Sequence, residues 1–121
     1  MSKIEQIEPK NWEKFLEDFS VRNNDRRARF EIFKSGNVEN EGQEYHFEDV
    51  SFSQNGAKKE LVIIRIDRAK NNAHKIHDTI TNVIGISVQY DTDGSESVLE
   101  ITDKENELIS LRFESKVDGA S

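Results

Sequence analysis

The chain contains no cysteine and a single proline, and its longest unbroken aliphatic run is Leu61 to Ile64. Without cysteine there is no disulfide, no thiolate nucleophile and no thiolate metal site, and a reducing compartment suits the composition. So short an aliphatic run cannot cross a bilayer as a helix, so no membrane partner is expected. The opening MSKIEQIEPK has no apolar core of the kind a secretory signal needs, which makes the cytoplasm the expected location. Nucleophile elbows, phosphate-binding glycine loops, dinucleotide fingerprints and HExxH are all missing. No cofactor is therefore expected, and the balance leans away from an enzyme without deciding the question.

Apolar content is also low: 34% hydrophobic against 34% charged residues over 121 positions, which raises disorder as the first question. Concentrated β-branched and aromatic positions at 28–33, 45–52, 61–66, 83–90, 98–101 and 108–113 answer it, because a disordered chain lacks such periodic segments. The length suits one domain. It is expected to span 9–115, with 1–8 and 116–121 as flexible tails.

The net charge of −7 is uneven, since residues 76–121 hold ten acidic and three basic side chains while residues 22–75 hold nine and eleven. An acidic C-terminal third repels nucleic-acid phosphates and favours solubility or a basic partner.

Pro9 suits the first turn of a helix, where its missing N–H costs nothing, and Trp12, Phe15, Leu16 and Phe19 then share one helical face. Such an aromatic stripe is the covering of a sheet. Asn23 or Asn24, tolerant of the left-handed conformation, is the expected stop, with Arg22 placed well for the helix dipole. Arg27 to Lys34 alternates with Ala28, Phe30 and Ile32 on one face. The polar stretch SGNVENEGQE reads as a connecting loop. In YHFEDVSFS either Tyr45 and Phe47 or Val50 and Phe52 face inward, and the frame change near Glu48 and Asp49 predicts a bulge or break.

Asn55-Gly56 is the strongest hairpin signal, with ELVIIRID (Glu60 to Asp67) returning as a central strand covered on both faces. Residues 68–82 are open between helix, loop and strand. Val83 to Phe113 then supplies three alternating runs joined by turns at Asp91–Gly94 and Asp103–Asn106. Ile84, Ile86, Val88 and Tyr90 are the expected inward set of the first run, followed by Leu99 and Ile101, then Ile109, Leu111 and Phe113. Gly85 marks either a bulge or a close approach of the helix. The expected fold is α+β, mainly β: an N-terminal helix packed on a curled antiparallel sheet, or partly open small barrel, of about six strands.

The tryptophan-led helix NWEKFLEDFS, the His74-x-Ile76 step, the Asp-Gly-Ser turn leading to Leu-x-Ile-x-Asp (Asp93 to Asp103) and the closing Leu111 to Phe113 together resemble a family of small uncharacterised bacterial proteins. Thr79 stands where that family has a proline. The resemblance implies a bacterial, soluble, single-domain protein and carries over no catalytic residue.

Several side chains remain as candidates. His74 and His77 would share a metal if their segment were helical, but would diverge in a strand. Asp91, Asp93 and Glu96 imitate the start of a calcium loop, although no full ligand pattern follows Gly94, and a hairpin turn explains them. His46, between Tyr45 and Phe47, is the one ionisable group in an aromatic setting. Arg22, Arg26, Arg27 and Arg29 cluster between helix and first strand and suit an anionic ligand, with intramolecular pairing as the plainer reading.

Three functions follow. The first is an interaction or accessory domain that binds a protein or itself. The second is a small ligand-binding or hydrolytic protein that uses the barrel mouth with His46 or His74. The third, which an acidic chain disfavours, is anion or nucleic-acid binding through the four arginines.

Overall fold

A computed structural model describes residues 3–68 and 73–114. Pro9 opens a short 3-10 turn, Pro9–Asn11, that runs into helix α1, Trp12–Asn23. Trp12, Leu16 and Phe19 are buried and Phe15 is partly covered, as the stripe predicts. The Trp12 indole N–H donates to the carbonyl of Ile7 at 2.9 Å, and its ring meets Phe52 edge-on with centroids 5.7 Å apart. The helix does not stop on a left-handed asparagine. Asn24 is extended, Asp25 takes the left-handed conformation at φ 75°, and Asn23 is buried with its amide bonded to Phe19 O and to Glu96. Aspartate tolerates that conformation for the same reason as asparagine, a short polar side chain.

Nine strands are present among the described residues, against about six expected: β1 (Lys3–Ile7), β2 (Arg27–Lys34), β3 (Asn37–Asn40), β4 (Tyr45–Asn55), β5 (Lys58–Asp67), β6 (His74–Ile80), β7 (Val83–Tyr90), β8 (Glu96–Asp103) and β9 (Leu108–Phe113). The extra ones lie where the sequence carries no apolar alternation. Within the expected loose lead-in of residues 1–8, the described stretch Lys3–Ile7 pairs antiparallel with β7, from Lys3 opposite Tyr90 to Ile7 opposite Ile86. Its first four residues are exposed, and backbone hydrogen bonds, which any sequence can make, hold it in place. The supposed loop SGNVENEGQE instead turns at Ser35-Gly36, both at positive φ, and returns as β3 on β2. The undecided segment resolves in part as β6; residues 69–72 and the tail 116–121 fall outside the described residues.

All pairings are antiparallel in the order β1-β7-β8-β9-β2-β4-β5-β6, with β3 beside β2. The sheet curls without closing: β1 and β6 end the order while β5 approaches β7 across the interior. Helix α1 lies against β4 and fills the concave side, where Phe19, Phe47 and Phe113 pack with centroids 5.4 to 5.8 Å apart. Such ring pairs each contribute about 0.5–1.5 kcal/mol beyond the area they bury.

Two irregularities set which residues face the core. The register of β4 on β5 shifts between Phe47 and Asp49, so Phe47 and Val50 are both buried and both expected inward pairs contribute a member. In β7 a shift between Val83 and Gly85 puts Val83 inside and leaves Ile84 55% exposed, which overturns the inward placement of Ile84. A Cβ on Gly85 would meet Thr102 at an ordinary 3.7 Å, so the bulge, with no close helix approach, accounts for this glycine. In β5 only Leu61, Ile63 and Arg65 are buried. Val62 and Ile64 are half-covered, so this strand is not sealed on both faces.

Candidate functional site

Because β6 is a strand, His74 and His77 project to opposite faces, and the side-chain period of two prevents them from sharing an ion. His46 sits on β4 with Nδ1 3.0 Å from the Asp25 carbonyl and 3.4 Å from its carboxylate. No group of three or more potential metal-ligating side chains gathers among the described residues. The Asp91–Gly94 segment is a hairpin turn closed by Gly94 N–H to Asp91 O at 3.0 Å, and Glu96 turns away from it into the interior.

The four candidate arginines do not converge. Arg22 grips Glu96 with two bonds of 3.0 and 2.7 Å, and that carboxylate raises its pKa above the ordinary arginine value. Arg26 donates to Asn23 and to the carbonyls of Glu96 and Glu114 and lies 4.8 Å from the Phe113 ring centroid. Burial lowers its pKa. Arg27 pairs with Glu114, raising its own pKa and depressing that of the carboxyl. Arg29 lies 3.8 Å from Glu31. Each arginine thus faces a carboxylate or carbonyls of this chain, and none is presented bare to an anion.

The most heavily buried cation among the described residues escaped the sequence reading. Arg65, 1% exposed, donates to both oxygens of Glu41 at 2.7 and 3.0 Å and to Asp78 at 3.2 Å, between the rings of Phe30 and Tyr45. Counting by two from Leu61 through Ile63 would have placed it inside. Burial pulls its pKa down, but Glu41 and Asp78 outweigh that, and the net shift is upward.

Among the described residues, two of the grooves that carry apolar surface beside charge bear on function. A cavity of about 260 Å³ at the open end of the sheet has Phe30, Ile32 and Ile109 as floor. Its carboxylates are engaged: Asp78 by Arg65, Asp103 by the N–H groups of Glu105 and Glu107, and Glu107 by Lys34 at 3.6 Å. The larger groove, about 650 Å³, lies between α1 and β4. Glu13, Glu17 and Val21 enter it from successive turns of the helix, since residues four apart share a face, and Asp49 and Phe52 enter from the strand. Val21 is 80% exposed, and no cation among the described residues pairs with Glu13, Glu17 or Asp49. Neither groove is lined by a histidine. A scan of family models, a search of curated proteins and a search of solved structures each return no match.

Proposed function

We propose that this chain is a non-enzymatic interaction domain whose protein partner presents a basic segment to the groove between α1 and β4. One observation carries the reading: Glu13, Glu17 and Asp49 stand together without a cation among the described residues, beside the exposed Val21, whereas the arginines elsewhere are matched. Like charges held along one groove repel each other and focus a negative field that a basic partner relieves. A bacterial cytoplasm is the setting favoured by the resemblance and by a cysteine-free composition.

Affinity purification with the wild-type chain and with a Glu13→Lys, Glu17→Lys, Asp49→Lys variant tests this. Basic proteins retained by the wild type and lost with the variant are expected; the same proteins retained by both would sink the reading.

Self-association is the second reading, favoured by β6, which has a strand neighbour on one side only among the described residues. Light scattering at low and high salt should then give a dimer mass at both, because edge pairing rests on backbone bonds, and a strict monomer rules it out. The barrel-mouth ligand and arginine-anion readings have less support, because the groups they need already serve partners within the chain.

A further inference from the structure

The groove has a feature beyond its charge, namely one edge of β4. The two-residue hairpin closes on the pair Asn55 and Lys58, so Asn55, Ser53 and Ser51 direct their backbone groups at β5, while Gln54, Phe52 and Val50 direct theirs the other way. On that other side β2 pairs with β4 only at Tyr45 and His46. Further along, the end of α1 and the residues after it stand in for a strand. Phe47 N–H donates to Arg26 O at 2.8 Å, Phe47 O accepts from Asp25 N–H at 2.7 Å, and Glu48 O accepts from the Asn24 amide at 3.1 Å. The Ser20 hydroxyl lies 2.9 Å from Val50 N and 3.1 Å from Val50 O, meeting both edge groups of that residue. At Phe52 and Gln54 the substitution ends, and no described residue meets their outward N–H and C=O groups. This bare edge lies beside Glu13 and Glu17.

We propose that the β4 edge at Phe52 and Gln54 accepts an extended basic segment of a partner protein, which adds a short strand to the sheet in the groove beside α1. The inference rests on the reading of the groove as a site for a basic partner and specifies how that partner is held. The spacing fits. Glu13 and Glu17, four residues apart, are separated by about 6 Å along the helix. Same-face residues of a strand recur every ~6.6 Å, so alternate side chains of an incoming strand meet the two carboxylates in turn. Main-chain bonds supply affinity and the carboxylates select charge, as in other strand-addition complexes. Ser20, already on Val50, ends the added strand.

The probe is a capped synthetic peptide of alternating lysine and valine, followed by amide hydrogen exchange and by fluorescence of Trp12, the only tryptophan, which touches Phe52. Binding should slow exchange at the Phe52 and Gln54 amides at least tenfold. Methylating those peptide nitrogens that face the protein should weaken binding at least tenfold, as should Gln54→Pro, which removes an outward N–H and leaves the ladder to β5 intact. The Glu17→Lys, Asp49→Lys variant should bind at least tenfold more weakly at low salt. If the methylated peptide binds as well as its parent, strand addition is wrong and the basic-partner reading stands. If the charge-reversed variant binds the parent peptide as well as the wild type does, both fail.

Discussion

Arg65 and Glu41 meet in a two-pronged pair, Nη1 to Oε1 at 2.7 Å and Nη2 to Oε2 at 3.0 Å, at the point where β2 changes neighbours. On the side away from β9, β2 pairs with β4 at Arg27 and Ala28 and with β3 from Glu31 to Lys34, which leaves Phe30 at the fork. Glu41 serves both groups of that residue, with its own N–H on Phe30 O at 3.0 Å and its carboxylate accepting from Phe30 N–H at 2.8 Å. Arg65 neutralises the carboxylate and donates to the Ala28 carbonyl at 3.3 Å.

Arg65→Met is therefore expected to destabilise the fold by about 2–3 kcal/mol, below the usual cost of breaking a buried pair because water reaches Glu41 and Asp78 in part. Adding Glu41→Met should recover only a fraction, since Phe30 N–H then loses its acceptor. Urea midpoints at unchanged m-value measure both. A single variant within 0.5 kcal/mol of wild type, by the usual scale of neutral surface changes, would remove the fork from the stabilising features.

Ser20→Ala removes the acceptor of a buried strand N–H. The Ser20 hydroxyl has one hydrogen for the carbonyls of Leu16, at 2.8 Å, and Val50, but it is the partner of Val50 N–H. A loss of about 1–3 kcal/mol is expected, the range for orphaning a buried donor. Exchange at the Val50 amide should quicken more than at Ile63 across the ladder; equal acceleration would mean general loosening.

Alkaline pH should reach the fold through Tyr90. Its hydroxyl is held at pKa about 12 by burial and by the bond it donates to Glu5, which also ties β1 to β7. A phenol raised above its unfolded value binds its proton more tightly when folded. Its contribution is thus complete below pH ~10 and lost as pH rises from there through about 12. Ultraviolet titration of the Tyr45→Phe variant, which leaves Tyr90 as the sole tyrosine, should show ionisation late in that window. Ionisation near the ordinary value would contradict the placement of β1.

Gly56→Ala tests the hairpin. Gly56 is the first of two turn residues and has φ 65°, while Ala57 is not at positive φ, the pattern of a turn that wants glycine first. The expected cost is about 1 kcal/mol. Ala57→Gly should change stability by less, and a larger loss there would reverse the assigned turn.

The helix stripe, the Asn55-Gly56 hairpin, the β4 bulge and the two turns of the C-terminal meander were all legible, because each rests on neighbours within a few residues. Ile84 was misplaced for an instructive reason: alternation assumes an unbroken pleat, and the bulge at Gly85 inserts a residue that reverses the faces on its N-terminal side. Strands β1 and β3 were missed because strands held by backbone bonds with exposed side chains leave no hydrophobic pattern to read. The arginine cluster was legible as a cluster in sequence but is divided in space, since α1 and β2 point its members toward different carboxylates.

What the sequence determined alone is the set of local choices: an amphipathic helix, alternating strands, turn positions, and the absence of thiol chemistry. Only the tertiary structure decided that β1 lies on β7 and β2 on β9, that Glu41 meets Arg65, and that α1 leaves part of the β4 edge bare above two carboxylates. The division has a physical cause. Side-chain periodicity is a property of consecutive residues, whereas pairing and charge matching depend on which distant segments the hydrophobic interior brings together.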